Sequence, residues 1–160
     1  MILIMNLSIP DLFQLADKKA PRPFLMRDLQ RDPSKSHGLP NRILIVDDEC
    51  SIADSLAEIL NVNGWDAIAC YSGVDAIEYA RKRCPDIVIS DVVMPKLNGI
   101  ETVLAIRELC PTAKILLFSG QAGTTDILRE ARAKGHNFEL VPKPIHPDLL
   151  LKKISGLQKT

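Results

Sequence analysis

Four places in this chain carry side chains suited to phosphoryl chemistry: the acid run Asp47-Asp48-Glu49, the lone Asp91, the hydroxyl of Ser119 and the amine of Lys143. Asp91 lies in DIVISDVVMPKLNG, where an apolar run ends on one carboxylate and apolar residues resume at Val92, Val93 and Met94. A carboxylate at the rim of an apolar strand must be solvated, paired or employed, because unpaired burial is costly. Three carboxylates brought together repel one another unless a cation joins them, and an all-oxygen set suits Mg2+ or Mn2+. A hydroxyl and an ammonium beside such a set form a cradle for a phosphoryl group, within reach of an attacking carboxylate.

The surrounding pattern says whether these residues can meet. From Asn41 the chain alternates strand and helix five times: RILIV, then a helix with apolar Ile52, Leu56, Ile59 and Leu60 that stops at Asn63-Gly64. DAIACY precedes a helix capped by Ser72, with Asp75 three residues on in a capping-box arrangement. DIVIS precedes a helix over Gly99–Leu109, KILLFS one over Thr124–Lys134, and FELV a last helix with Pro147 in its first turn and Leu150, Ile154 and Leu157 on one face. Apolar runs without alternation mark strands covered on both faces, as in parallel sheets. The expected fold is therefore α/β: a doubly wound, five-stranded parallel sheet of flavodoxin-like order 2-1-3-4-5, with helices on both faces.

In such sheets function collects beyond the carboxyl ends of the strands. Strand one ends in Asp47-Asp48, strand three in Asp91, strand four in Ser119 and strand five near Lys143. With that strand order, Asp47, Asp48 and Asp91 cluster at the switch point and Ser119 and Lys143 flank them. Each has a plainer use alone: an acid pair complementing a helix dipole, a turn-initiating Asp, a capping Ser, a paired Lys. Their joint placement at one edge is what argues for chemistry.

The motifs ILIVDDE, DIVISDVVMPKLNGIE, LLFSG and VPKP, in this order and strand context, resemble the response-regulator receiver domains of two-component signalling, over Asn41 to about Leu157. The resemblance implies that Asp91 accepts phosphate from the phosphohistidine of a histidine kinase or histidine phosphotransfer protein. It implies that Asp47, Asp48, Asp91 and the Val93 backbone carbonyl hold Mg2+, and that Ser119 and Lys143 bind the phosphoryl group. It also implies a cis peptide at Lys143-Pro144 and a downstream target docking on helix 4, strand 5 and helix 5, a face that can also form a homodimer. Val93 and Gln121 fall at rim positions that bias phosphoryl lifetime, and the SGQAGTTD loop has the small residues to move. Where the family commonly has Tyr or Phe, three residues before the lysine, stands Leu140, with Phe138 two residues earlier. RAKGHNFELVPKP is slightly longer than usual, which leaves room for a shifted register in strand five.

Composition narrows the alternatives. Lys+Arg and Asp+Glu balance at 20 each, so no overall basic field attracts nucleic acid or anionic lipid. No run approaches a transmembrane helix, and MILIMNLSIP lacks the basic flank of a signal peptide. Cys50, Cys70, Cys84 and Cys110 show no CxxC or zinc spacing and read as reduced thiols of a cytoplasmic protein, Cys50 packing at the start of the first helix. His136 and His146 fall on loops or helix starts, and Lys152-Lys153 reads as a solvated helix end. Residues 1–40, with scattered prolines and charges, read as a flexible tail or extension, the sharper alternative being a short docking helix near Leu12–Lys19; residues 41–160 form the domain. The expected product is a stand-alone phosphorylation switch and not an enzyme turning over metabolites. Two other classes compete: a haloacid-dehalogenase-like phosphatase, disfavoured by the adjacent acid pair and the lack of a DxD motif, and an interaction module with vestigial phosphorylation.

Overall fold

A computed structural model describes residues 41–120 and 124–158. The helix expected near Leu12–Lys19, and Gln121, lie outside the described residues. Five βα units follow one another: β1 (Arg42–Val46), α1 (Cys50–Val62), β2 (Asp66–Cys70), α2 (Gly73–Lys82), β3 (Ile87–Asp91), α3 (Gly99–Leu109), β4 (Lys114–Ser119), α4 (Thr124–Ala133), β5 (Glu139–Pro142) and α5 (Pro147–Gln158). The strands are parallel and lie in the order β2-β1-β3-β4-β5.

The two-residue strand period divides the apolar residues between two layers. Leu44, Val46, Val88, Ile115 and Leu117 face α2, α3 and α4. Ile43, Ile45, Ile87, Ile89, Leu116 and Phe118 face α1 and α5, where Leu60, Leu150 and Ile154 cover them. Each fully buried Leu or Ile contributes about 1.5–3 kcal/mol relative to exposure. The buried stripe of α1 is Ala53, Leu56, Ala57 and Leu60, with Ile52 and Ile59 half-buried at its margins. Small residues let this helix lie close to the sheet.

Local chemistry fixes the helix ends. Gly64, at φ 89°, takes the left-handed conformation after α1 that a Cβ disfavours. Ser72 accepts the Asp75 N–H at the start of α2, as expected. The full capping box belongs instead to α3: Asn98 Oδ1 accepts the Glu101 N–H at 2.9 Å, and Glu101 Oε2 accepts the Asn98 N–H at 3.0 Å. At the far end of the sheet Lys114 Nζ donates to the Leu157 carbonyl at 2.5 Å, capping α5.

Several details depart from expectation. The cysteines are not all reduced thiols: Cys84 and Cys110 form a disulfide, leaving Cys50 and Cys70 free. Sequence spacing signals only local pairs, whereas here the fold brings the ends of α2 and α3 together across a separation of 26 residues. Cys50 begins α1 but is exposed rather than packed. Burial pushes the Cys70 thiol up to about 12, with Asp75 adding to the shift. Lys152 is exposed, whereas Lys153 pairs with Glu139 at 2.5 Å and so ties α5 to β5. β5 begins one residue after Phe138 and pairs Leu140 with Leu117 and Pro142 with Ser119.

Two glycines are required by close approach. A Cβ on Gly99 would lie 1.9 Å from the Asp91 carbonyl oxygen, and one on Gly73 would lie 2.2 Å from Thr102 Oγ1. The Gly99 clash is with backbone, which cannot turn aside. Gly99→Ala should therefore destabilise the fold by about 2 kcal/mol or more in urea melts, while Gly156→Ala, in open space, should not destabilise it. A Gly99→Ala protein as stable as wild type would contradict this packing.

Candidate functional site

Asp47 directly follows β1, Asp91 closes β3, Ser119 closes β4, and Lys143 follows β5, so the parallel topology delivers all of them to one edge. Lys143 Nζ lies 2.7 Å from Asp47 Oδ2 and 3.2 Å from Asp91 Oδ2. Asp47 is 2% exposed, and its other oxygen, Oδ1, accepts the Glu49 N–H at 3.0 Å. Its own N–H donates to the Cys70 carbonyl. Asp48 is exposed beside it, and one carboxylate oxygen from each of Asp47, Asp48 and Asp91 falls within 4.8 Å of the others. Hard oxygens at that spacing fit Mg2+, which coordinates at about 2.1 Å.

The loop after β3 folds back on the site. Lys96 adopts φ 67° and the Leu97 N–H reaches the Pro95 carbonyl at 2.8 Å. The Gly99 N–H then donates to the Val92 carbonyl at 2.9 Å, which seats α3 directly beneath Asp91. Val93 is 45% exposed at the rim, and its N–H donates to the Asp91 carboxylate.

On the other side the Lys143 N–H donates to the Ser119 carbonyl at 2.9 Å, joining the hydroxyl-bearing strand to the ammonium-bearing one. Ser119 Oγ donates to the Gly120 carbonyl at 3.1 Å, and Thr124 Oγ1 donates to that same carbonyl at 2.7 Å. The Lys143-Pro144 peptide is cis. Leu140 is half-buried against the α2–α3–α4 layer. Phe138 is not at the site: it precedes β5, stacks with His136, and lies under the Arg107 guanidinium of α3 at 5.0 Å. From Phe138 to Pro142, opposite Ser119, is four strand steps, about 13 Å. Sequence reading did not find the Arg107 contact, the Asn98 cap or the Thr124 hydroxyl; of these only the Asn98-x-x-Glu101 spacing was a readable signal.

Burial raises the Asp91 carboxyl above its ordinary value, against the lowering pull of Lys143; the Asp47 charge raises it further and the Val93 N–H lowers it. Burial also works against the Lys143 charge, but the hydrogen bonds and charges of Asp47 and Asp91 outweigh it, and Lys143 is raised overall.

The sequence matches the profile of the response regulator receiver domain over residues 43–155. The chain belongs to this family. Among curated relatives it is 30% identical over 128 residues to the chemotaxis protein CheY of Treponema pallidum, covering 78% of this chain and 88% of that protein. It is 28% identical over 123 residues to the probable transcriptional regulatory protein TcrX of Mycobacterium tuberculosis, covering 77% of this chain but 52% of TcrX. The chain thus spans about half the length of such transcriptional relatives. Among solved structures, Vibrio cholerae CheY4 matches with a TM-score of 0.65 at 29% identity, covering 74% of this chain and 98% of that one. A CheY-like receiver domain protein from Methanospirillum hungatei matches with a TM-score of 0.66 at 26% identity, covering 75% and 95%. Receiver domains are signalling modules and not enzymes that turn over metabolites. Among the described residues, no helix is long and apolar enough to cross a membrane.

The raised Asp91 value has a signed consequence for the metal-free receiver domain. The folded state holds this proton to higher pH than the unfolded state, so stability falls as pH rises from the ordinary value of 3.8 through the raised one. Asp91→Asn removes that decline. Chelator-treated Asp91→Asn should melt above wild type at pH 7, and the gain should fade below about pH 3.8. Equal melting at pH 7, or a gain undiminished in acid, would contradict the assignment.

Proposed function

We propose that Asp91 accepts a phosphoryl group from the phosphohistidine of a histidine kinase or histidine phosphotransfer protein, with Mg2+ required. The observation that carries this reading is the Lys143 ammonium, within 3.2 Å of both the acceptor Asp91 and the buried Asp47. An Asp91 carboxylate oxygen attacks phosphorus, the P–N bond breaks, the imidazole leaves with its electron pair and is protonated, and an acyl phosphate remains. Asp47, Asp48, Asp91 and the Val93 carbonyl would hold Mg2+, whose chemistry is to neutralise charge on the phosphoryl oxygens. Lys143 supplies a second positive charge to the same oxygens.

Ser119 completes the cradle by turning its hydroxyl toward the phosphoryl group. This rotation is cheap, because Thr124 Oγ1 continues to satisfy the Gly120 carbonyl that Ser119 leaves. Since Ser119 and Lys143 are joined by a backbone hydrogen bond, their movement shifts the end of β5 and the start of α4, and a downstream protein reads the α4–β5–α5 face. The reading places the protein in the cytoplasm with a kinase or phosphotransfer partner, no direct nucleic-acid target, and an α4–β5–α5 surface able to pair two copies.

Acetyl phosphate with Mg2+, followed by intact mass, tests the reading. Wild type should gain one phosphate, and neither chelator-treated wild type nor Asp91→Asn should. Lys143→Met should slow the gain by about 100-fold. Folded protein that binds Mg2+ yet gains nothing from acetyl phosphate or from a phosphohistidine protein would favour the interaction module, for which Leu140 in place of an aromatic residue is the supporting observation.

A further inference from the structure

We propose that the Cys84–Cys110 disulfide is a thiol–disulfide exchange site, opened by a dithiol reductant attacking at Cys84, that clasps the far end of α2 to the far end of α3. This goes beyond the phosphoryl reading and does not depend on it. The pair lies at the sheet edge opposite Asp91: Cys84 follows α2 and Cys110 closes α3. The covalent loop between them contains β3, Asp91 and all of α3. The two cysteines differ in exposure. Cys84 is exposed, while Cys110 is 2% exposed. The exposed residue is the side from which we expect a nucleophile to approach.

Both oxidation states find partners in place. Cys110 Sγ lies 3.6 Å from the Ala80 carbonyl and Cys84 Sγ lies 3.7 Å from the Leu109 carbonyl, so each freed thiol has an acceptor for its weak S–H donor. Opening the bond strands no polar group. The helices remain packed through Gly73 and Thr102, well away from the sulfurs along α2 and α3. The other two cysteines are unsuited to exchange with this pair, since Cys50 begins α1 beside the acidic cluster and Cys70 ends β2 in the interior.

The exchange balances in two steps. A reductant thiolate attacks Cys84 Sγ, the S–S bond breaks, and Cys110 leaves as a thiolate that takes a proton from water. The second reductant thiol, deprotonated, attacks its own sulfur in the mixed disulfide and releases Cys84. The reductant loses two electrons and two protons, and the cystine gains both. The reverse sequence, with a disulfide as oxidant, closes the clasp.

The test uses the full chain oxidised by dissolved oxygen with no added thiol or disulfide, then acid quench, denaturation, alkylation and intact mass. Two alkylations are expected, rising to four after dithiothreitol treatment of the folded protein, with Tm falling by about 10 °C. Limiting glutathione should give one adduct, mapped to Cys84. Cys84→Ser and Cys110→Ser should each show three alkylations and a Tm indifferent to dithiothreitol. Four alkylations before reduction, a wild-type Tm unmoved by dithiothreitol, or an adduct on Cys110 would each overturn the proposal. None of these three requires a variant to fold.

Discussion

One ammonium group balances the carboxyl edge of this sheet. Asp47, Asp48 and Asp91 bring three negative charges within a few ångströms, and Lys143 touches two of them. Such a cluster would resist closure without it, since like charges at this spacing repel strongly where water is partly excluded. The lysine directly follows the fifth strand, and the acids follow the first and close the third. The electrostatics of the site and the closure of the sheet are thus a single condition. The same charge that lets the strands converge remains available to an incoming anion.

Backbone contacts make the arrangement stiff. Gly99 rests against the Asp91 carbonyl, the Gly99 N–H is held by Val92, and Asn98 with Glu101 fixes where α3 begins. Thr102 then packs against Gly73, so α2 is placed by α3 as much as by the sheet. Asp91 closes β3, and α3 packed beneath it cannot tilt without disturbing the Asp91 backbone. On the Ser119–Gly120 side, by contrast, two hydroxyls share one carbonyl.

Much of this was legible in the residues, for identifiable reasons. RILIV and KILLFS each hold an unbroken apolar run of four residues because both their faces are covered, and both strands took the expected bounds. The polar residues at strand ends were legible because topology alone delivers them to one edge. What escaped notice depends on where side chains go in three dimensions. The Cys84–Cys110 pair and the Arg107–Phe138 contact each join residues from different βα units, which no spacing rule reports. Leu140 pairs with Leu117 in an unbroken ladder, so the extra length before β5 is absorbed ahead of the strand rather than by a slip within it.

The open side of β5 limits what can be attached to it. Backbone groups alternate sides along a strand, and the Lys143 N–H is spent on the Ser119 carbonyl. By that alternation Glu139 and Val141 also face β4, leaving Leu140 and Pro142 to face outward. Proline has no N–H, so the free edge of this strand offers a single amide donor. A ladder of main-chain hydrogen bonds cannot be extended from it, which guards this edge against edge-to-edge pairing. Recognition on this flank must come through side chains, and it can be rewritten residue by residue without touching the backbone that holds Lys143.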